Sequence, residues 1–250
     1  MRALLLGVVA ACTPISAPPL APQPIASRDP VITGERAGLH IAAQHTMQTL
    51  IAALSPDQQA RLGGLTLAFD GGEVNAYATC SESGLPLVLV TDSLLELARQ
   101  LAVARAFDET YGTERVHAYA THPTPGGTLA ADGRTLDEAR VLFTEELAYV
   151  IGHELGHHYL RHLSCGGFNV ANPIPLFDQA DELAADAAGI RNTLATGVWS
   201  EAGALLVLQF FRTEQTLAQI ALAFEQTHPL AEIRLPTVTA TADLWRMGAK

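Results

Sequence analysis

The sequence predicts an α+β fold, with a small mixed sheet followed by a mostly helical remainder. Three observations predict it. Runs of β-forming residues are confined to the first half, at 65–70, 74–80 and 85–91. From residue 92 onward the apolar spacing is helical. No internal repeat is visible that would point to a solenoid or propeller. The chain has 250 residues, 48% hydrophobic and 16% charged, which suits one domain with a sizeable core and excludes wholesale disorder. The net charge of −11 argues against a nucleic-acid partner, which needs a basic surface. An acidic surface by itself serves solubility and names no partner.

The elements follow in order. Residues 34–54 read as a helix through Leu39, Ile41, Ala42, Met47, Leu50 and Ile51. Ser55-Pro56-Asp57-Gln58 is a helix start, with Ser55 as N-cap and Gln58 completing a capping box; Gly63-Gly64 ends that short helix. The segments 65–70 and 74–80 flank the turn Asp70-Gly71-Gly72-Glu73 and are expected to form a hairpin. The third strand, 85–91, is apolar enough to be internal. Residues 92–107 form an amphipathic helix, and 121–133 a Gly/Pro-rich loop in which or near which His117 and His122 are expected to lie as loop residues. Residues 135–163 form the next helical stretch, opened by a Thr135/Glu138 capping box. A helix over 178–196 ends at Gly197, a long apolar helix spans 200–227, His228-Pro229 breaks it, and a last helix runs to Arg246.

The N-terminus stands apart. Arg2 precedes an apolar run over residues 3–11, too short to span a bilayer and suited to a secretory signal. Val9-Ala10-Ala11-Cys12 resembles the lipobox of bacterial lipoproteins, which implies lipidation of Cys12. Six prolines over residues 13–30 make an extended spacer. The expected division is a signal segment over 1–12, a spacer over 13–33 and one domain over 34–250. The expected location is outside the cytoplasm, in the periplasm or cell envelope, with the membrane reached through the lipid. A buried N-terminal helix or strand is the alternative. Of the three cysteines, Cys80 and Cys165 remain as an even pair, either disulfide-bonded or two separate thiols.

The chemistry concentrates in Val150–His162. His153-Glu154-Leu155-Gly156-His157 has the pattern H-E-x-x-H. Residues four apart share a helix face, so two imidazoles can grip one Zn²⁺. Glu154, beside the first ligand, is placed to take a proton from a water whose pKa the metal lowers. Gly152 and Gly156, each costing about 1 kcal/mol in a helix interior, imply close approach of another backbone. His158 and His162 form a competing pair without an adjacent base, expected to pack at the helix edge and to be partly solvated. A catalytic zinc needs a third ligand, and Glu182 can supply it; Asp186, one turn on, can accept a hydrogen bond from a ligand imidazole. Asp178 and Asp181 are expected to face solvent.

These residues resemble the gluzincin metallopeptidases that include the CAAX prenyl protease and the heat-shock protease HtpX. Beside the H-E-x-x-H and E-x-x-x-D segments, Val74–Ala78 resembles the family's strand ahead of the active helix, and Thr227–Arg234 resembles its later His-Pro segment followed by Arg. The resemblance covers roughly residues 65–234. It implies a zincin-like domain and one Zn²⁺ per chain held by His153, His157 and Glu182. It also implies Glu154 as general base and then proton donor, Asp186 as the group orienting a ligand, and His228 or Arg234 stabilising the oxyanion. Asn75, Ala76 and Tyr77 would bind a protein or peptide substrate by strand addition. The integral-membrane members carry spanning helices; this chain resembles the small soluble or lipid-anchored periplasmic type. The implied activity is a zinc endopeptidase acting on envelope proteins. The alternative is a non-catalytic scaffold or chaperone-like module of the same fold, and retention of Glu154 weighs against it.

Overall fold

The computed structural model describes residues 29–121, 129–165, 177–215, 228 and 230–248. A short helix α1 (Pro30–Thr33) leads into α2 (Arg36–Ala53) and α3 (Pro56–Arg61). Ser55 and Gln58 form the expected capping box at α3. Three strands follow, β1 (Thr66–Asp70), β2 (Ala76–Cys80) and β3 (Pro86–Thr91). The rest is helical: α4 (Asp92–Tyr111), α5 (Arg115–Thr121), α6 (Leu136–Tyr159), α7 (Gln179–Ala195), α8 (Ala202–Gln215) and α9 (Ala231–Arg246). Among the described residues no helix is long and apolar enough to cross a membrane.

The sheet is mixed, as expected, but its order is β1-β3-β2, with β1 parallel and β2 antiparallel to β3. The β1–β2 hairpin expected around Asp70–Glu73 does not form. The tight connection instead joins β2 to β3 through Ser81–Leu85, where Gly84 takes φ +74°. The reason lies in β3. Val88 and Val90 are fully buried on one face, and the apolar Leu87 and Leu89 are part-buried on the other, so β3 is best enclosed at the centre of the sheet with a strand on each side. Among the described residues, β2 lies at one edge of the sheet with no further strand beside it.

Two other expectations need correction. Thr135 does not cap α6. Its backbone is already helical, and its hydroxyl and amide pair with Asp132 in the preceding turn (2.9 and 3.0 Å). His117 lies on α5 rather than in a loop. That helix is started from a distance, by the Asp108 carboxylate accepting from the amides of Arg115 and Val116 (2.6 and 3.0 Å). His122 and the rest of residues 122–128 in the expected loop lie outside the described residues, as does the second half of the long helix expected over 200–227.

Helix α6 runs between two cores. One joins α2, the sheet and α4 through Leu50, Val88, Leu95, Phe143 and Leu155. The other joins α4, α7, α8 and α9 through Leu101, Tyr149, Ile190, Phe210 and Val238. Every residue from Ile151 to Tyr159 is buried. A helix enclosed on all sides holds its polar side chains out of water, where they interact strongly and need partners.

The expected close approach is present. A Cβ on Gly152 would lie 3.1 Å from the Gly189 carbonyl oxygen, and one on Gly156 would lie 3.3 Å from Ala185 Cα. On the facing helix, a Cβ on Gly189 would lie 2.9 Å from the His153 amide nitrogen. Small residues on both helices let α6 and α7 cross nearly backbone to backbone. This brings the acidic residues of α7 up to the histidines of α6.

Candidate metal centre

His153 and His157, one turn apart, turn their Nε2 atoms toward one another at 3.1 Å. From α7, Glu182 closes the third side. Its oxygens lie 3.3 Å from His153 Nε2 and 3.5 Å from His157 Nε2. All three side chains are buried. Among the described residues, neither Glu182 oxygen accepts a hydrogen bond of ordinary geometry. A buried carboxylate so placed carries a large desolvation penalty unless a cation accompanies it. Two nitrogens and a carboxylate converging on one point suit Zn²⁺, which takes such ligands at about 2.0–2.2 Å. The donor set therefore fits the metal.

Each ring's other nitrogen has a partner. His153 Nδ1 faces Asp186 Oδ1 at 2.9 Å. Asp186 is itself held by the Tyr149 hydroxyl (2.8 Å) and by Arg234, whose Nε and Nη2 donate to its two oxygens at 2.9 and 2.6 Å. His157 Nδ1 faces His162 Nδ1 at 3.0 Å, and the Phe177 ring stacks on His157 at 3.8 Å. His158 points away, with Nε2 on the Leu87 carbonyl (3.1 Å). It belongs to the packing of α6 on the sheet, as expected.

The electrostatics follow from this enclosure. Burial opposes charge on His153, but the hydrogen bond to Asp186 and the close Glu182 carboxylate overcome it and push the imidazole up to about 9. Burial and the neighbouring positive charge of His153 hold His157 far below the usual histidine range. At most one of the two rings is therefore charged, and the facing Nε2 atoms both suit a metal. Burial alone would raise Asp186; the Arg234 guanidinium and His153 hold it well below the usual carboxylate range. Arg234 is correspondingly fixed in its charged form by Asp186, against its own burial.

Glu154 lies beside this cluster. His228 Nε2 approaches Glu154 Oε1 at 3.8 Å and Glu182 Oε2 at 3.9 Å. His153, Glu154 and His228 also qualify as a possible ligand group. The set with His157 and Glu182 is the tighter one. Ala76, His153, Glu154, His228 and Arg234 line one small cavity, so the start of β2 borders the site. Asn75 anchors that start: its amide donates to Thr91 Oγ1, and its side-chain oxygen accepts from the Ala76 amide (3.0 and 2.9 Å). Tyr77 is half-buried next to Glu154, and burial raises its phenol above the usual value, with Glu73, Glu154 and Asp70 adding to the shift. Cys80 and Cys165 are disulfide-bonded, tying the far end of β2 to the segment after α6. Cys12 lies outside the described residues. A surface hollow of about 670 Å³ between α4, α5 and α8 is lined by none of the residues of this cluster.

Sequence reasoning missed three contacts. His162 is partly exposed, as expected, but it also touches His157. Asp181 was expected to face solvent, yet it lies 3.5 Å from His162 Nε2 while staying part-exposed. Arg234 was expected near an oxyanion; its Nε and Nη2 are committed to Asp186.

The profile of Peptidase family M48 matches residues 42–171, slightly more than half of the chain. No curated protein and no solved structure matches. The matched span runs from α2 through the whole of α6, and Glu182 and Asp186 lie beyond it. With two histidines, an adjacent glutamate and a buried carboxylate converging on α6, the chain belongs to Peptidase family M48, a family of zinc-dependent metallopeptidases.

Proposed function

We propose that the protein is a zinc-dependent endopeptidase in which His153, His157 and Glu182 hold one Zn²⁺ and Glu154 moves the proton. The carrying observation is the buried His153–His157–Glu182 convergence with Glu154 alongside. A bound zinc supplies a Lewis acid that polarises the scissile carbonyl and acidifies water. Glu154 takes a proton from the attacking water as its oxygen bonds to the carbonyl carbon. It then delivers that proton to the amine nitrogen as the C–N bond breaks. His228, within 4 Å of Glu154, donates to the developing oxyanion. Arg234 holds Asp186, and Asp186 fixes the His153 ring so that Nε2 faces the metal position. The segment Asn75, Ala76 and Tyr77, where the edge strand β2 begins beside Glu154, is the proposed place where an extended peptide adds as a strand.

The subtype that best fits the residues is that of the CAAX prenyl protease and HtpX, in its small lipid-anchored form, acting on envelope proteins. The Cys80–Cys165 disulfide favours an oxidising compartment and so supports export. Cys12 is the proposed lipid anchor, and Cys12→Ser is expected to release the protein from membranes; unchanged fractionation refutes the anchor. For the activity, Glu154→Gln is expected to retain zinc and lose cleavage of an unfolded protein substrate by about 10²–10⁴-fold. Cleavage that survives the substitution refutes the proton role.

A further inference from the structure

Helix α6 ends in an unusual way. The His162 amide donates to the His157 carbonyl at 3.0 Å, and the Arg161 amide donates to the His158 carbonyl at 3.1 Å. This 6→1 and 5→2 pattern is a Schellman turn, which needs a left-handed residue, most often glycine. Here the residue is Arg161, with φ 66°, the sole non-glycine with positive φ among the described residues. A side-chain-bearing residue in that conformation is strained. The turn folds the chain back over the last carbonyls and brings the His162 ring onto the ring of His157.

The ring contacts give that placement a direction. His157 turns Nε2 toward His153 and Glu182; with that nitrogen given to a metal, the ring proton sits on Nδ1, which points at His162 Nδ1 (3.0 Å). With Nδ1 accepting, the His162 proton sits on Nε2, which faces Asp181 Oδ1 at 3.5 Å. Phe177 stacks on His157 and also borders His162. The arrangement parallels the one at His153, where Asp186 is the acceptor and Arg234 its anchor.

We propose that His162 is a positioning residue for the metal. It accepts the Nδ1 proton of His157 and so fixes the tautomer and ring orientation that turn Nε2 to the zinc, with Asp181 orienting His162 in turn. This rests on the zinc reading above. An outer partner of a ligating histidine typically contributes 10- to 100-fold to metal affinity.

The test is zinc affinity of the full chain, read by competition with a chromophoric chelator. His162→Phe keeps a ring beside Phe177 and removes the acceptor, and is expected to weaken zinc binding about 10- to 100-fold. His162→Gln restores an acceptor and is expected to recover most of that loss. Arg161→Gly keeps the turn and is expected to stay within about twofold of the parent. Parent-like affinity in His162→Phe overturns the proposal, and so does equal weakening in the Phe and Gln variants, since lost packing would then explain both. If circular dichroism shows that His162→Phe does not fold, Asp181→Asn decides: weakening of about 3- to 10-fold supports the relay, and no change overturns it. Failure of the zinc reading looks different, because the parent chain and His153→Ala would then bind zinc equally poorly.

Discussion

Glu146 sits two turns before His153 on α6, fully enclosed, and neither of its oxygens has a hydrogen-bond partner among the described residues. Burial raises its carboxyl well above the usual range, and the neighbouring Glu145 adds to the effect. An unfolded glutamate titrates near 4.3. Above that pH the folded state binds more protons than the unfolded one, so stability falls as pH rises toward the folded value. Glu146→Gln removes this dependence. It is expected to stabilise the protein by about 1–3 kcal/mol near neutral pH, with the gap closing below about pH 4. Urea denaturation of both proteins from pH 4 to pH 8 measures it, and a constant offset contradicts it. At this scale the sequence was informative where spacing alone places a side chain. His153, His157, Glu182 and Asp186 follow from the i, i+4 geometry of two helices. Arg234, 48 positions beyond Asp186, and His162, delivered by a turn that lacks its usual glycine, leave no local signal.

At the scale of elements, the site depends on how closely α6 and α7 cross. The glycines in α6 announced that approach, but the partner glycine on α7 could be recognised only in the fold. Gly189→Ala would set a methyl 2.9 Å from the His153 amide nitrogen, which has no room to yield. It is expected to cost about 1–3 kcal/mol and to weaken zinc binding by moving Glu182 and Asp186 away from the histidines. Gly156→Ala meets the Ala188 methyl at 3.1 Å and backbone at 3.3 Å, and is expected to cost less. Denaturant midpoints and zinc titration of the two variants check this; equal, small effects would mean that the crossing is looser. Strand order was the main element-level surprise. The alternation of β1 and β2 around a Gly-Gly turn fits a hairpin locally, and only the demand of β3 for neighbours on both sides decides otherwise.

At the scale of the molecule, the Cys80–Cys165 disulfide closes a span of 85 residues that contains β3, α4, α5 and α6. Such a closure typically contributes about 2–5 kcal/mol. Reducing conditions, or a Cys80→Ser/Cys165→Ser double variant, are expected to lower the urea midpoint accordingly, and coincident curves would contradict the estimate. The α+β class, the mixed sheet and the helical second half were readable from composition and periodicity, since each rests on patterns within single elements. Which elements touch is set by long-range packing, and that is where reading the sequence ran out.

The central claim is that α6 and α7 build a zinc site whose chemistry runs through Glu154. The most direct measurement is zinc content together with cleavage of an unfolded protein, on the parent chain and Glu154→Gln side by side. The account predicts about one zinc per chain in both, with cleavage in the parent alone. Parent chain purified without chelators and free of zinc, or equal cleavage by both proteins, would contradict it.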